Sequence, residues 1–297
     1  MSTQPQLRFS IPIPPCGEHP GGAITCTEPQ PAVYVLTWTS PPENRITTPF
    51  LRALLTALDV IEYGDFKRGV VITTSGIPKY YSNGADLEHA FNTDGFWQLF
   101  HDTWARFLTY VLHLVTACFA IPIFYEYPMP TLALINGHAF AGGIMLAMAH
   151  DYRLGPGSKG WICVNELQFD APLMRPFTAL FRQQIPLLHY RSVALEARRF
   201  TGEQAMEVSL VDGIAHTFDD ALKFINDRDL LEKAKSQSYA QIKTEMYADL
   251  LADLTPKATD RATRKTVDEY SRAAERKEKG RAWYKRWVTE NKAKSKM

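Results

Sequence analysis

The sequence contains few cysteines and no motif that would pair them. Its four cysteines are widely separated, they form no C-x-x-C pair, and no N-x-S/T sequon occurs. Isolated thiols are typical of a reducing compartment, and they argue against a zinc site or a disulfide-stabilised scaffold. We therefore expect no metal ion. The cysteines are Cys16, Cys26, Cys118 and Cys163.

Long apolar runs are also absent. The most apolar stretch, Phe107–Phe124, is interrupted by polar residues and by Pro122, which favours a buried helix over a membrane span. The first thirty residues contain many prolines and no apolar run. They are therefore expected to be neither a signal peptide nor an Arg-rich transit sequence, and we predict no membrane partner.

Neither sign of charge dominates the chain. The 297 residues include 33 Lys and Arg against 32 Asp and Glu, a net charge of +1, so the overall charge makes a nucleic-acid partner unlikely. A hydrophobic fraction of 45% is enough for a sizeable core and excludes a disordered chain. The charge is uneven, however, because residues 256–297 carry 14 basic and 6 acidic side chains.

The pattern of β-branched residues predicts an α/β fold with parallel strands. Three almost uniformly apolar segments are separated by helical patterns, as expected for strands buried on both faces. These segments are Ala32–Trp38, Gly69–Thr74 and Thr131–Ile135.

From about Asp219 the pattern becomes helical and highly charged, with no glycine between Gly213 and Gly280. We interpret this region as a helical extension of the core. The expected organisation is an irregular N-terminal lead-in (1–30), an α/β core (31–218) and a charged α-helical C-terminal extension (219–297).

One glycine motif is a misleading match. Gly155–Gly160 fits the G-x-G-x-x-G pattern of dinucleotide-binding proteins, but that loop must open a helix whose N–H groups hold the pyrophosphate. Here the segment Trp161–Val164 follows, which has the pattern of a strand. We therefore expect a hairpin-like loop and no dinucleotide site.

Two other glycine-bearing segments each follow a predicted strand. Lys79–Leu87 (KYYSNGADL) comes after the second strand, and Asn136–Ala147 (NGHAFAGGIMLA) comes after the third. Each leads into a helical pattern, which begins near Ala85 in the first segment. Unpaired main-chain N–H groups at such helix starts can face an anionic group, and glycine allows close approach.

Together these segments resemble the paired signatures of the enoyl-CoA hydratase/isomerase (crotonase) family. Further matches occur in order at Pro41–Asn44 (PPEN) and Thr201–Asp212 (TGEQAMEVSLVD), so the resemblance runs from about Val33 to Asp212. It implies a crotonase-like spiral of ββα units with an α-helical C-terminal region, assembled as a homotrimer or hexamer. It also implies an acyl-CoA thioester as substrate and no separate cofactor, since CoA is part of the substrate.

The resemblance further implies which residues form the site. In that family two main-chain N–H groups, one from each loop, form an oxyanion hole for the thioester oxygen, and here these are the amides of Ala85 and Gly142. The implied substrate-binding residues are Ser82, Asn83, Gly84, Ala85, Asp86 and Gly142.

The acid–base residues distinguish members of the family. Its hydratases use two glutamates, but here the first of those positions holds Met145 and only the second is filled, by Glu166. A thioether cannot transfer a proton at neutral pH, whereas one carboxylate suffices to move a proton from C2 to C4 of a 3-enoyl thioester. The run Asn165–Gln168 (NELQ) also resembles the catalytic segment of Δ3,Δ2-enoyl-CoA isomerases. We therefore predict such an isomerase, active in the β-oxidation of unsaturated fatty acids, with Glu166 as catalytic base.

Other functions stay open at this point. The chain could be an enoyl-CoA hydratase or another acyl-CoA lyase or hydrolase of the family, with Asp170 as an accessory group. A different class of function is RNA binding without catalysis. The basic tail could supply cations for the CoA phosphates, or it could be a solvated helix that packs Trp283, Tyr284 and Trp287 against the core or a neighbouring subunit.

The last three residues of the sequence, Ser295, Lys296 and Met297, resemble the peroxisomal address Ser-Lys-Leu. They predict a peroxisomal location and an import receptor as partner. The alternative is a solvated end of a cytoplasmic protein.

Overall fold

A computed structural model describes residues 6–108, 129–157 and 159–294. Cys118, most of the apolar stretch 107–124 and the C-terminal residues 295–297 lie outside the described residues, so the predictions made for them stay predictions.

The described strands form two sheets. A seven-stranded sheet has the order β1-β2-β3-β4-β6-β8-β10, antiparallel from β1 to β3 and parallel from β3 to β10, and a three-stranded parallel sheet has the order β5-β7-β9. The strands are β1 (Gln6–Ile13), β2 (Gly22–Gln30), β3 (Val33–Thr39), β4 (Val70–Ser75), β5 (Tyr80–Ser82), β6 (Thr131–Leu134), β7 (His138–Phe140), β8 (Tyr152–Pro156), β9 (Ile162–Cys163) and β10 (Gly213–Ala215).

Twelve helices are present in the described part of the chain. They are α1 (Thr48–Tyr63), α2 (Leu87–Asn92), α3 (Phe96–Leu108), α4 (Gly142–Met148), α5 (Arg175–Gln184), α6 (Leu187–Ala194), α7 (Gly202–Glu207), α8 (Phe218–Asp227), α9 (Leu230–Lys233), α10 (Gln237–Met246), α11 (Ala248–Leu254) and α12 (Pro256–Lys294). A short 3₁₀ helix covers Glu166–Phe169.

The chain passes repeatedly from the large sheet to the small one and then into a helix. Strands β4, β6 and β8 of the large sheet are followed by β5, β7 and β9 of the small sheet, and helical segments follow each pair. This repetition of ββα units confirms the predicted α/β spiral. The loop Gly155–Gly160 leads into a strand as expected, but the strands it joins lie in different sheets, so the expected hairpin-like form is wrong.

The predicted apolar strands lie at the centre of the large sheet because both of their faces are covered. Side chains on one face, such as Leu36 and Val71, pack in a large core with α1, α3 and α4. Those on the other face, such as Ile72 and Leu132, pack in a second core with α8 and α9. Uniform burial of this kind explains why these strands lack polar alternation.

The prediction of an irregular lead-in over residues 1–30 is wrong. Strands β1 and β2 occupy most of this region and extend the large sheet through antiparallel pairing with β3. Strand β1 lies at an edge with most of its residues partly or fully exposed, and edge strands tolerate proline. Proline-rich composition therefore concealed two strands.

The C-terminal region is helical, as predicted, and it ends in the 39-residue helix α12. Lys243 on α10 ties this region to the core through a buried ion pair with Asp151, with Nζ and Oδ2 2.7 Å apart. The distal aromatic residues of α12 are exposed, so they do not pack against the core, and their packing against a neighbouring subunit stays a prediction. In the described residues, no helix is both long and apolar enough to cross a bilayer.

Candidate active site

The three strands of the small sheet bring the predicted site residues together. Strands β5, β7 and β9 are parallel, so their carboxyl ends meet at one edge of the sheet. Ala85 follows β5 by three residues, Gly142 follows β7 by two, and Glu166 follows β9 by three. The spacing along each strand therefore places all three residues at the same edge.

In the first loop, the neighbouring hydrogen bonds orient the amide of Ala85. The carbonyl of Gly84 accepts a hydrogen bond from the Ile46 N–H, with N and O 2.9 Å apart. Because the C=O and N–H of a trans peptide point in opposite directions, the N–H of Ala85 points away from Ile46. Ala85 itself lines the large cavity described below.

In the second loop, an unusual backbone conformation orients the amide of Gly142. Ala141 has φ 49° and ψ −123°, a conformation that costs about 1–3 kcal/mol for a non-glycine residue. Its carbonyl accepts a hydrogen bond from the Met145 N–H across 3.2 Å, so the Gly142 N–H points out of the start of α4. This amide forms no hydrogen bond with another described residue.

Glycine allows the two loops to pack against each other. A Cβ added to Gly142 would lie 3.1 Å from the Ala85 nitrogen. Gly84 has φ +84°, which favours glycine, and a Cβ there would lie 2.9 Å from the Phe140 oxygen and 3.2 Å from the Gly142 nitrogen. The two amides are therefore close neighbours, as an oxyanion hole requires.

A cavity of about 990 Å³ opens at this edge of the small sheet. Its wall includes Asn83, Ala85, Gly142, Met145 and Glu166, together with aromatic and apolar side chains of α2, α3 and α5. The cavity wall exposes more apolar than polar surface, which is typical of a small-molecule site.

Glu166 is the buried carboxylate of this cavity. It begins the 3₁₀ helix after β9, it is 7% exposed, and its Oε2 atom forms no hydrogen bond with any described residue. Burial raises the pKa of Glu166 to about 7, so it can exchange a proton near neutral pH. Three other carboxylates on the wall, Asp94, Asp170 and Asp260, are exposed.

Met145 lies one turn after Gly142 on α4, is 2% exposed and contributes to the same wall. Its thioether puts an apolar surface where a second acid–base group would otherwise stand. Among the described residues of this wall, Glu166 is therefore the one buried side chain that can exchange a proton near neutral pH.

Arg45, which the sequence analysis did not select, holds the first loop. Its guanidinium donates to the carbonyls of Asn83 and Ala85, across 2.9 and 3.3 Å, and to Glu43 Oε1 across 2.6 Å. Burial opposes ionisation of Glu43, but hydrogen bonds from Asn83 and Arg45 outweigh it and lower the Glu43 pKa. The ion pair therefore fixes the loop on both sides of the Ala85 amide.

Three of the six residues that were predicted to bind the substrate, Ser82, Gly84 and Asp86, do not line the cavity. The Ser82 hydroxyl is buried and donates to the Asn44 carbonyl across 2.8 Å. Asp86 caps α2 by accepting from the His89 N–H, and it also pairs with His19. These two side chains, and the close packing of Gly84, shape the loop, whereas Asn83, Ala85 and Gly142 line the cavity.

The first part of α12 completes the cavity wall, which the sequence did not reveal. Residues Thr259–Tyr270 contribute to it from far along the chain. His101 of α3 anchors this helix through a hydrogen bond between Nδ1 and Thr259 Oγ1, 2.9 Å long. Burial lowers the pKa of His101 to about 3, so the anchor is a neutral imidazole. The recurrence of Thr259, Thr263, Thr266 and Tyr270 along one side of the helix is the signal that could have indicated this face.

The arrangement suits proton transfer next to a carbonyl group. Two main-chain N–H groups can bind a carbonyl oxygen and stabilise the negative charge that develops on it. A buried carboxyl group on the same wall can remove and return a proton on the neighbouring carbon atoms. Within the described residues, no group of three or more His, Cys, Asp or Glu side chains could hold a metal ion.

Comparisons with known proteins point to one family. The profile of the family described as enoyl-CoA hydratase/isomerase matches residues 28–287. The chain is 28% identical to enoyl-CoA delta isomerase 3 of Arabidopsis thaliana, over 80% of this chain and 98% of that protein. It is 26% identical to peroxisomal enoyl-CoA delta isomerase 2 of the same plant, over 76% and 93%.

Among solved structures, the fold is similar to that of a probable enoyl-CoA hydratase from Mycobacterium tuberculosis. The TM-score is 0.65 at 19% identity, with 84% of this chain and 97% of that chain covered. An enoyl-CoA hydratase/isomerase family protein from Pseudomonas syringae gives a TM-score of 0.64 at 22% identity, over 80% and 93%. At this level of identity the likeness establishes the fold.

Proposed function

The chain belongs to the enoyl-CoA hydratase/isomerase family, and from that premise we propose that it is a Δ3,Δ2-enoyl-CoA isomerase. The observation that carries this proposal is the pairing of one buried carboxyl group, Glu166, with an apolar Met145 on the same wall. A hydratase must activate water and protonate carbon, whereas an allylic shift needs one group that removes and returns a proton.

In the proposed reaction, the thioester oxygen of a 3-enoyl-CoA accepts hydrogen bonds from the amides of Ala85 and Gly142. The Glu166 carboxylate removes a proton from C2, and the electrons of that C–H bond form a dienolate whose charge is shared with the thioester oxygen. The proton then returns to C4, so the double bond moves from C3–C4 to C2–C3. Glu166 regains its charge, and no other reactant is consumed.

Energetic considerations support these roles. Each oxyanion donor in sites of this kind stabilises the transition state by about 3–4 kcal/mol. Burial raises the pKa of Glu166 to about 7, which makes its carboxylate a stronger base towards carbon than an exposed glutamate. The apolar Met145 reduces access of water, which could otherwise add to the product.

The deciding experiment compares two substrates side by side. Purified protein is given a 3-enoyl-CoA or a 2-trans-enoyl-CoA, and the conjugated double bond is followed by ultraviolet absorbance. We expect conversion of the 3-enoyl thioester and little hydration of the 2-trans isomer. Faster hydration than isomerisation would contradict the proposal.

An isotope measurement tests whether the same group removes and returns the proton. In deuterated water, a shuttle that is shielded from solvent returns part of the original hydrogen to C4. Partial retention is expected, and complete exchange of the transferred hydrogen at early times would contradict a shielded shuttle.

We also propose a peroxisomal location. It is supported by the Ser295-Lys296-Met297 end of the sequence and by the name of one relative, which is described as peroxisomal. Deleting the three residues from a fluorescent fusion should change a punctate signal into a diffuse one. A signal that stays punctate after the deletion would contradict the role of this tripeptide.

A further inference from the structure

The distal part of α12, residues 276–294, is a surface that the proposed reaction does not use. At about 1.5 Å per residue, the 39 residues of the helix extend for about 58 Å. From position 267 to 290 every residue except Val288 is exposed. The helix therefore leaves the body of the protein soon after it has lined the cavity.

Aromatic side chains share one face of this projecting segment. Trp283 and Trp287 are one turn apart, as are Tyr284 and Val288, so the four side chains lie next to one another. The three aromatic residues are 58%, 48% and 58% exposed in the order Trp283, Trp287 and Tyr284. Their rings are nearly parallel, with centroids 6.5 Å apart for Trp283–Trp287 and 6.1 Å apart for Tyr284–Trp287.

Cations lie along both edges of this aromatic face. On one edge, Lys279 is four residues before Trp283 and Arg286 is three residues after it. On the other edge, Arg281 is three residues before Tyr284, and Lys285 is three residues before Val288. The segment 276–294 contains eight basic and two acidic residues. Among the described residues, none of these four cations forms an ion pair.

We propose that the aromatic–basic face of residues 276–294 docks on the anionic phospholipid surface of a membrane. Trp and Tyr are the residues that favour the boundary between headgroups and hydrocarbon. Helices with an apolar face and Lys or Arg at its edges lie in that boundary, and clusters of cations are attracted to anionic lipids. The proposal departs from the prediction of no membrane partner, because the absence of long apolar runs argues only against a segment that spans the membrane, not against contact with its surface.

Two other occupants fit the face less well. A second copy of the same helix would bring two strongly basic segments together, and Lys is depleted in the cores of protein interfaces. RNA recognition uses aromatic rings whose faces are free to stack on bases, whereas here Trp283 and Tyr284 each stack on Trp287.

Flotation with vesicles tests the proposal without any assay of catalysis. Full-length protein is mixed with vesicles of phosphatidylcholine alone or of phosphatidylcholine with phosphatidylserine, and the floating fraction is measured. We expect flotation with the anionic vesicles only, with a blue shift of tryptophan fluorescence. Raising the salt concentration should reduce the floating fraction, because salt screens the attraction.

Two sets of variants identify the surface. Trp283→Ala with Trp287→Ala should lower vesicle binding about tenfold or more, and Lys279→Glu with Arg286→Glu should do the same. The matched control is Leu187→Ala with Leu188→Ala, which removes two side chains exposed by 74% and 76% elsewhere on the molecule. The control should bind like the unaltered protein.

Several results would overturn the proposal. These are equal flotation with neutral vesicles, unchanged flotation of the Trp283→Ala/Trp287→Ala variant, or binding of RNA without binding of anionic vesicles. Light scattering after gel filtration measures the mass of the assembled protein and tests for a contact between subunits. If the Trp283→Ala/Trp287→Ala variant has a smaller assembled mass than the unaltered protein, the face is a contact between subunits and the membrane proposal is wrong.

Discussion

Strands of the seven-stranded sheet and of the three-stranded sheet alternate along the chain from β4 to β9, yet the predicted site residues follow only the strands of the small sheet. Strands β4, β6 and β8 of the large sheet have four to six residues each and contribute buried side chains to the two cores. Strands β5, β7 and β9 of the small sheet have two or three residues each. Each of them leads directly to Ala85, Gly142 or Glu166.

The comparison teaches that stability and chemistry are separated within one fold. The small sheet holds a non-glycine residue with positive φ at Ala141 and a buried carboxyl group at Glu166, and both features destabilise the folded state. The large sheet packs apolar side chains into two cores, and such burial stabilises the folded state. Substitutions in the two sheets should therefore affect different measurements.

Removing the carboxylate of the small sheet should have the largest effect. Glu166→Gln keeps the size of the side chain but cannot accept a proton, so kcat for isomerisation should fall about 10³-fold while the fold is retained. Steady-state kinetics and circular dichroism measure the two quantities. Asp170→Asn, which alters an exposed carboxylate on the same wall, is the control and should keep most of the activity. Equal losses in both variants would argue against Glu166 as the specific base.

A substitution in the large sheet should lower the stability of the fold and leave the activity of the folded protein nearly unchanged. Leu132 is fully buried in the core between the sheet and α8, so Leu132→Ala should lower the free energy of unfolding by about 2–5 kcal/mol. Urea denaturation measures this loss. The specific activity of the folded protein should stay near that of the unaltered enzyme, and a large fall in kcat at low temperature would contradict the separation of the two sheets.

The pH dependence of stability should reveal the destabilising effect of Glu166. Its pKa is about 7 in the folded protein against an ordinary value of 4.5, so between these values the folded chain holds a proton that the unfolded chain has lost. The free energy of unfolding should therefore fall by about 3 kcal/mol as the pH rises through this range. Glu166→Gln should lack this fall, which makes it the more stable protein at pH 8 and equally stable at pH 4. Parallel stability curves for the two proteins would contradict the burial of this group.

The smallest effect is expected at Arg45, which positions the first loop of the small sheet. Arg45→Ala removes donors to the carbonyls of Asn83 and Ala85 and should lower kcat about tenfold, with KM changed less. Arg45→Lys should recover part of the loss. The control is Arg8→Ala, which removes an ion pair with Glu28 of similar exposure in the large sheet. Equal effects of both alanine variants on kcat would contradict a positioning role for Arg45.

Much of the fold was predictable from the sequence because the central strands are buried on both faces. Continuous β-branched runs gave β3, β4 and β6 to within a residue or two, and the glycine segments gave the two loops. The edge strand β1 and its neighbour β2 were missed because one-sided burial and proline leave a weak pattern.

Only some of the predicted site residues line the cavity, and some residues of its wall were not predicted. Ala85, Gly142 and Glu166 lie on one cavity wall because three parallel strand ends meet, which the order of the strands in the sequence already implied. Arg45 and the Thr259–Tyr270 face of α12 were missed because their place in the site depends on tertiary packing between distant segments. Ser82 and Asp86 belong to the right loop, but a residue sequence does not reveal which way a loop side chain points.

The proposed oxyanion donors differ in one respect from every other part of this site, because they are main-chain atoms. Replacing the side chain at position 85 or 142 leaves an N–H group in place, and of the encoded amino acids proline alone deletes it. Inherited change can therefore alter Glu166, the apolar cavity wall or the first part of α12 one at a time while the two main-chain N–H groups persist. Such a scaffold is well suited to acquire new reactions on thioesters during evolution.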